Sequence, residues 1–322
     1  MGTSIPKGWY YNSTRAKHEF GVYNKDGAIY APFDEDGIIN PVIAGEDFYV
    51  NVNAGVDTNS GKSKVTALKT LAAAIVLSNA SIAANAYGWA ARNRIFFEGD
   101  NNEEHKETLI TLPSKCDVIG VGSYDHRSYP VMIGNHVIGA GAYMGTRFIN
   151  MGFKSLATGG AIFTVPTTTS GLQFINCFFD ASTAVVGTIG ISLTAVEMAR
   201  IEGCEFIGAF STTAINIGAG ESNGLAIIGN KILGAVKGIT VDSSMTQSVR
   251  SGIIADNYIE TTAMAIDENS DKLLIANNTI LSGAGNGYAA CMDIELTRCV
   301  GNVLTTKNGT CYDVPPRAGA LA

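Results

Sequence analysis

Four carboxylates late in the sequence have types and spacings that could support acid–base chemistry. Asp267 and Glu268 form an adjacent doublet, and Asp293 and Glu295 form an alternating pair. Glycoside hydrolysis needs two carboxyl groups about 5–9.5 Å apart. Adjacent strand residues face opposite ways, so the doublet is expected in a solvated turn, whereas Asp293 and Glu295 share one strand face but lack an evident basic partner. The four residues occupy different slots of the repeat described below, so we assign no catalytic residue and lean against an enzyme.

The other reactive residue types lack the spacing of a metal site or a nucleophile. Residues 57–61 resemble a calcium-binding loop, but they lack further ligands and a distal glutamate, so they are interpreted as a polar turn. The four histidines have no HxxxH spacing, and the six cysteines form no CxxC pair, so the cysteines are interpreted as small buried side chains. These cysteines are Cys116, Cys177, Cys204, Cys291, Cys299 and Cys311. The sequence predicts neither a metal ion nor a cofactor.

A repeated hexapeptide dominates the second half of the chain. Each copy has an apolar residue, a variable one, Gly, Asn or Asp, then Asn or Cys, a variable residue and a second apolar one. The copies are residues 174–179, 201–206, 227–232, 254–259, 275–280 and 299–304, and 148–153 fits with Met in the fourth place. The fourth residues are Met151, Cys177, Cys204, Asn230, Asn257, Asn278 and Asn302. Their spacings of 26, 27, 26, 27, 21 and 24 predict a solenoid with one coil per repeat.

The repeat also predicts how each coil turns. Its two apolar residues are five apart, an odd offset, so the chain must bend between them if both side chains point inward. Asn tolerates the left-handed conformation of such a bend, and a preceding Gly adds backbone freedom. Stacked asparagines could then form hydrogen bonds from coil to coil. Cys177 and Cys204 take the same slot, where parallel side chains suit a disulfide poorly.

A second strand is expected later in each coil. Residues 189–193, 214–217, 238–241 and 264–266 alternate between apolar and other residues. No proline occurs between Pro166 and Pro315, as continuous hydrogen-bonded ladders require, and no amphipathic helix fits in these coils. The predicted fold is all-β, a right-handed single-stranded parallel β-helix.

An N-terminal α-helix is expected to cap the stack. Residues 64–80 carry Leu68, Leu71, Ile75 and Leu77 at roughly helical spacing. The predicted organisation is a docking segment, a strand with the capping helix, the β-helix and a tail. Their bounds are 1–45, 46–93, 94–314 and 315–322.

These elements carry a resemblance to a known superfamily. The run from Phe48 through Asp57 and Gly61 to Ile75, and the later segment 117–122, resemble the opening of pectate-lyase-like β-helix proteins. With the coils, the resemblance covers residues 46 to about 314. It implies the fold and no single activity, because that superfamily holds lyases, hydrolases, esterases and inert structural proteins.

Composition narrows the expected partners. The formal charge is −7 without a basic block, which argues against nucleic-acid binding, and the longest apolar run, 71–77, is too short for a membrane span. The first residues contain no apolar signal-peptide region, so we expect assembly in a host cytoplasm. Short β-helices of this kind resemble proteins of bacteriophage virions.

Two functions follow from that resemblance. The first is a homotrimeric head decoration or cement protein, anchored to the major capsid protein or another virion protein through residues 1–45. Those residues could instead pack back on the cap. The second is a tailspike that binds or depolymerises a host surface polysaccharide through Asp267, Glu268, Asp293 or Glu295. A cytoplasmic carbohydrate enzyme is a third possibility.

Overall fold

The computed structural model describes most of the chain. The described residues are 7–12, 17–23, 29–34, 37–38, 44–85, 88, 90–99, 105–122, 130–156, 159–166, 169–181, 188–218, 224–242, 252–268, 273–283, 292–294, 298–306 and 311–313.

The N-terminal segment forms an antiparallel sheet of four strands. These are β1 (Lys7–Asn12), β2 (Lys17–Tyr23), β3 (Ile29–Asp34) and β4 (Gly37–Ile38), in that order across the sheet. The pairing register aligns Trp9, Phe20, Phe33 and Ile38 in one row. The sequence analysis predicted a docking segment here and named no strand, because the strands are short and the glycines hide their alternation.

Three stacked sheets and one minor sheet form the rest of the molecule. The first sheet contains β5 (Ala44–Asn51), β6 (Arg92–Glu98), β8 (Cys116–Gly120), β12 (Thr146–Ile149), β16 (Gln173–Ile175), β20 (Arg200–Glu202), β23 (Leu225–Ile228), β26 (Gly252–Ala255), β29 (Leu273–Ala276) and β32 (Arg298–Val300). The second contains β7 (His105–Lys106), β9 (Val131–Ile133), β13 (Gly152–Lys154), β17 (Phe178–Ala181), β21 (Glu205–Gly208), β24 (Lys231–Ala235), β27 (Tyr258–Thr261), β30 (Thr279–Ser282), β33 (Val303–Thr306) and β34 (Cys311–Asp313). The third contains β10 (His136–Val137), β14 (Ala161–Val165), β18 (Ile189–Leu193), β22 (Thr213–Ile217), β25 (Lys237–Val241), β28 (Ile266–Glu268) and β31 (Met292–Ile294). The minor sheet contains β11 (Tyr143–Met144), β15 (Thr169–Ser170) and β19 (Val196–Glu197).

The chain visits these sheets in a fixed order, and the fold agrees with the predicted right-handed parallel β-helix. Each coil runs from the first sheet through a corner to the second, then to the third, and returns to the first. Consecutive coils pair in parallel, with one exception: β34 pairs antiparallel with β33, so the chain turns back at its end.

The interior changes character along the axis. In the earlier coils Phe153 and Phe179 stack at 5.3 Å between ring centroids, and Phe179 and Phe206 stack at 4.7 Å. Isoleucine replaces phenylalanine in later coils, as at Ile232 and Ile259, which occupy the same register column and are fully buried. Neighbouring coils therefore mostly place the same residue type in this column, first Phe and then Ile, and the core is filled by stacking like side chains.

The capping helix begins and ends later than the sequence analysis predicted. Helix α1 spans Leu71–Ala84, with Thr70 as its N-cap accepting from the Ala73 backbone N–H. Leu68 lies outside the helix, where it is buried and forms an isolated bridge with Val50. Glu107, from a later coil, accepts from the backbone N–H groups of Leu71 and Ala72 and so also caps this end.

The left-handed residue of each corner is the third of the hexapeptide, not the fourth. The structure therefore corrects the expectation that the ladder asparagines adopt this conformation. The residues with positive φ are Asn150, Asn176, Gly203, Gly229, Asp256, Asn277 and Gly301. Gly, Asn and Asp tolerate this region best, which explains the choice at the third position. The fourth residue is thereby free to point its side chain inward.

Candidate functional site

The inward side chains of the corner form a continuous ladder. Asn278 Oδ1 accepts from the backbone N–H of Asn257 at 3.0 Å and from its Nδ2 at 2.8 Å. Asn257 Nδ2 also donates to the Ile227 carbonyl of the preceding coil at 3.0 Å. The same bonds join Asn230 to Asn257 and Asn278 to Asn302. Each amide thus satisfies buried backbone groups of the coil before it.

Cysteine continues this ladder into the earlier coils. The Cys204 backbone N–H donates to Asn230 Oδ1 at 2.9 Å, and Cys204 Sγ accepts from the Cys177 N–H at 3.4 Å. Both thiols are free and fully buried, and burial raises the pKa of Cys204 well above its usual range. Burial likewise raises the pKa of Cys116 to about 12. The thiols of Cys204 and Cys116 therefore stay protonated. Cys291 lies outside the described residues.

The acidic doublet is part of a strand rather than a solvated turn. Asp267 and Glu268 belong to β28, and Glu268 is fully buried in register with the inward-facing Val241. Asp267 is half-buried and pairs with Lys237 at 2.7 Å between Nζ and Oδ2. The prediction was wrong because the alternating pattern ends at Ile266, whereas strand β28 continues through Asp267 and Glu268.

The register brings two of the candidate carboxylates to adjacent coils. Asp267 of β28 pairs with Asp293 of β31, although the sequence analysis assigned them different slots. The two Cα atoms are therefore about one strand spacing apart, roughly 4.8 Å. The loop between the corner and the third sheet differs in length from coil to coil, so counting residues from the corner could not reveal this pairing. Glu295 lies outside the described residues.

Asp267 continues a polar column on the outer face of the third sheet. The register aligns five outward residues on consecutive strands, and each is partly exposed. They are Thr164, Ser192, Asn216, Thr240 and Asp267. Asn216 Nδ2 donates to Ser192 Oγ at 3.2 Å, so the column is linked along the axis. A hydroxyl and amide column of this kind presents hydrogen-bonding groups at a regular spacing.

The outer face of the first sheet carries ion pairs in its earlier coils. Asp117 lies between two arginines, at 2.6 Å from Arg92 Nη1 and from Arg147 Nε. The Asp117 carboxylate raises the pKa of Arg147. Further along the chain, Arg200 pairs with Glu202 at 2.5 Å, and this bond lowers the pKa of Glu202. Each of these charged groups therefore has an ion-pair partner in the same chain, although Arg92 and Arg147 share the one carboxylate of Asp117.

The same face becomes apolar in the last coils. Its two outward rows continue through strands β23, β26, β29 and β32. The described apolar residues of these rows are Ala226, Ile228, Ile253, Ala255, Leu274, Ala276 and Val300, which we call the apolar face. Ala255 and Ala276 are buried. Leu274 is 36% exposed and Val300 is 46% exposed. Exposed apolar side chains grouped on one face are typical of an association site.

The other predicted polar features are structural where the structure describes them. Asp57 accepts from the Lys69 and Thr70 backbone N–H groups, each at 2.8 Å, so the turn at 57–61 braces the helix start. Glu205 and Lys231, on adjacent coils, form a surface ion pair at 3.7 Å. Within the described ranges, no three His, Cys, Asp or Glu side chains are grouped as a metal site would need.

His136 is an unexpected buried titratable group. Its Nδ1 accepts from the Leu109 backbone N–H at 3.1 Å, and Nε2 has no partner among the described residues. Its ring packs against those of Phe153 and Phe163. Burial lowers the pKa of His136 to about 3, so the ring is neutral at physiological pH. Nothing in its sequence surroundings marks it as buried.

Comparison with known proteins adds no relative. Across the described residues, no helix has both the length and the apolarity to cross a bilayer. The chain matches no model of a known protein family, and no curated protein sequence matches it.

Proposed function

We propose that the chain is a structural protein of a tailed bacteriophage virion, a homotrimeric head decoration or cement protein displayed on the capsid surface. A structural role is supported by the outer face of the first sheet. Its earlier coils carry ion pairs formed within the chain, and its last coils carry the apolar face. The phage context rests on the likeness of short single β-helices of this kind to proteins of bacteriophage virions.

The charge pattern of that face favours copies of the same chain as its partner. In a threefold assembly parallel to the coil axis, equivalent rows from three copies meet near the axis. An unpaired charge in such a row would face its own copies and repel them. Asp117, Arg147, Arg200 and Glu202 each have an ion-pair partner in the same chain, and the apolar face, which excludes Arg298, carries no charge to bury.

The N-terminal sheet is the proposed attachment element. A single four-stranded sheet with one apolar row cannot bury that row by itself. The row of Trp9, Phe20, Phe33 and Ile38 provides such an apolar line. In this proposal residues 1–45 contact the major capsid protein or another virion protein, and the β-helix projects outward.

Two measurements test the proposal. Sedimentation equilibrium of the purified full chain should give three times the 33.7 kDa chain mass. Particles purified on a density gradient from cells that produce the chain should carry it at regular surface positions in electron micrographs. Deletion of residues 1–43 should remove it from the particles while its circular dichroism stays β-rich. A monomeric mass would refute the trimer, and particles lacking the full chain would refute the virion role.

A tailspike-like function is the second candidate, and one observation favours it. The register pairs Asp267 with Asp293, so their Cα atoms are about one strand spacing apart, roughly 4.8 Å. Retaining glycosidases use two carboxyl groups about 5–5.5 Å apart. The test is release of reducing ends or unsaturated uronides from host capsule or lipopolysaccharide. Activity that Asp267→Asn abolishes, and Asp256→Asn at the exposed corner preserves, would establish this function. No release by the wild-type chain would reject it.

A further inference from the structure

A shallow groove lies where the minor sheet turns into the first sheet. It has a volume of about 330 Å³ and spans several successive coils. Arg92, Lys115 and Ser170 supply its polar groups, and Met144 and Met198 are among its apolar ones. We propose that this groove binds a monovalent carboxylate carried on a short apolar group, a site independent of the structural role proposed above.

Left-handed residues give the groove its shape. Lys115, Gly145, Gly171 and Met198 have φ values of 49°, 64°, 70° and 51°. They form a second column of one-residue bends, each just before the chain enters the first sheet. A Cβ at Gly145 would lie 3.2 Å from Arg92 Nη2, so glycine there leaves room for the guanidinium. The Arg92 guanidinium therefore lies at the groove with no side chain from position 145 covering it.

The charges around the groove are not balanced. Arg92 and Arg147 share the single carboxylate of Asp117, and Lys115 adds a third positive charge. Glu197, which pairs in register with Ser170, adds a second negative charge, so three positive and two negative charges leave a net +1, on a chain whose total is −7. An anion is therefore attracted to this groove against the overall charge of the molecule.

Both groove cations keep donors for a ligand. Arg92 bonds through Nη1, to Asp117 Oδ1 and to the Gly145 carbonyl at 2.9 Å. Lys115 Nζ donates to the Gly88 carbonyl at 2.6 Å. Within the described part of the chain, these bonds leave Arg92 Nε and Nη2 and two ammonium hydrogens of Lys115 available. A carboxylate can accept from a guanidinium and an ammonium at once.

The lining selects among anions. Met144 and Met198, with the alanines at 90 and 91, make much of the groove wall apolar. A dianionic phosphate loses more hydration free energy in such surroundings than a monovalent carboxylate does. An alkyl group attached to the carboxylate gains by covering the methionines. The geometry therefore favours a short-chain carboxylate over both a phosphate and a neutral analogue.

Three four-carbon probes test the assignment on the full chain. Butyrate, 1-butanol and butyl phosphate share their alkyl group and differ in their polar head. Titration followed by saturation-transfer difference NMR should give a millimolar Kd for butyrate that weakens as salt is raised. Butanol should bind at least tenfold more weakly. If butanol bound as tightly as butyrate, the groove would have no anion site. Tighter binding of butyl phosphate would refute the choice of a carboxylate over a phosphate.

Variants locate the site. Lys115→Asn keeps a residue that tolerates positive φ and should weaken butyrate at least fivefold, whereas Lys69→Asn, an exposed lysine elsewhere, should leave the Kd unchanged. Met198→Glu places a carboxylate on the groove wall and should abolish butyrate binding by internal competition. Thermal unfolding checks that each variant is folded. Unchanged butyrate affinity in folded Met198→Glu would overturn the proposal even if Lys115→Asn failed to fold.

Discussion

Asn278 accepts two hydrogen bonds from Asn257 through one oxygen, Oδ1, so a single side-chain atom joins two coils of the β-helix. Asn278 lies 21 residues further along the chain, so the bond is non-local. Both side chains are almost fully buried. The ladder therefore contributes to stability mainly because its loss would strand buried polar groups.

Replacing one ladder residue should destabilise the protein strongly. Asn257→Ala leaves the Asn230 N–H and Nδ2 donors and the Ile227 carbonyl without their partner. The expected loss is about 2–4 kcal/mol in the free energy of unfolding. Urea denaturation measures it, with Asn216→Ala on the outer column as the matched control at under about 1 kcal/mol. Equal losses in both variants would contradict the ladder's energetic role.

The left-handed corner should discriminate between residue types. Asn277 has a φ of 55°. Asn277→Gly should leave stability nearly unchanged, while Asn277→Val should cost about 2 kcal/mol because a β-branched residue is strained in this region. Thermal unfolding of the two variants gives the comparison. A valine variant as stable as the glycine one would show that the corner is not held left-handed.

His136 should make the protein sensitive to acid. The unfolded chain protonates this histidine near pH 6.5, but the folded chain keeps it neutral down to about pH 3. The unfolded state thus binds more protons in this window, so stability falls as pH falls from 6.5 toward 3. The contribution is about 1.4 kcal/mol per pH unit at most.

Denaturation midpoints between pH 7.5 and 4.5 test this dependence. His136→Leu should be less stable at neutral pH, because the Leu109 N–H loses its acceptor. It should nevertheless have a shallower slope than the wild type below pH 6.5. Parallel slopes in the two proteins would assign the acid sensitivity to other groups.

A charge on the apolar face should disrupt the proposed trimer. Leu274→Glu would place three like charges near the threefold axis, so its sedimentation mass should fall to that of one chain at micromolar concentration. Val65→Glu is the control, because Val65 is 93% exposed near the cap. Its mass should stay trimeric. A trimeric Leu274→Glu would place the interface on another surface.

The sequence could predict the coil repeat because the corner recurs in every coil with the same chemistry. The hexapeptide identifies both the bend and the inward column from Cys177 to Asn302, and the all-β fold with one capping helix is confirmed. The start of the helix was predicted too early, since Leu68 matches the apolar spacing yet pairs with Val50 as a bridge. Thr70 and Asp57 fix the start instead.

The candidate sites were harder to predict than the fold. The match of Asp267 with Asp293 depends on loops of unequal length, which spacing from the corner cannot resolve. The groove at Arg92 and Lys115 is assembled from separate coils, and no local motif marks it. The burial of His136 follows from tertiary packing alone. The virion role and residues 1–45 as its anchor remain predictions.

The reversed direction of β34 has a consequence for polymerisation. A stack of parallel strands ends in an open edge, on which a further molecule could add and continue the same ladder. Because β34 runs against β33, the second sheet ends in a strand of the wrong polarity for another parallel coil. Head-to-tail growth into filaments is thereby obstructed along that sheet. This obstruction concerns the second sheet, because β32 and β31, the last described strands of the first and third sheets, pair in parallel with their neighbours.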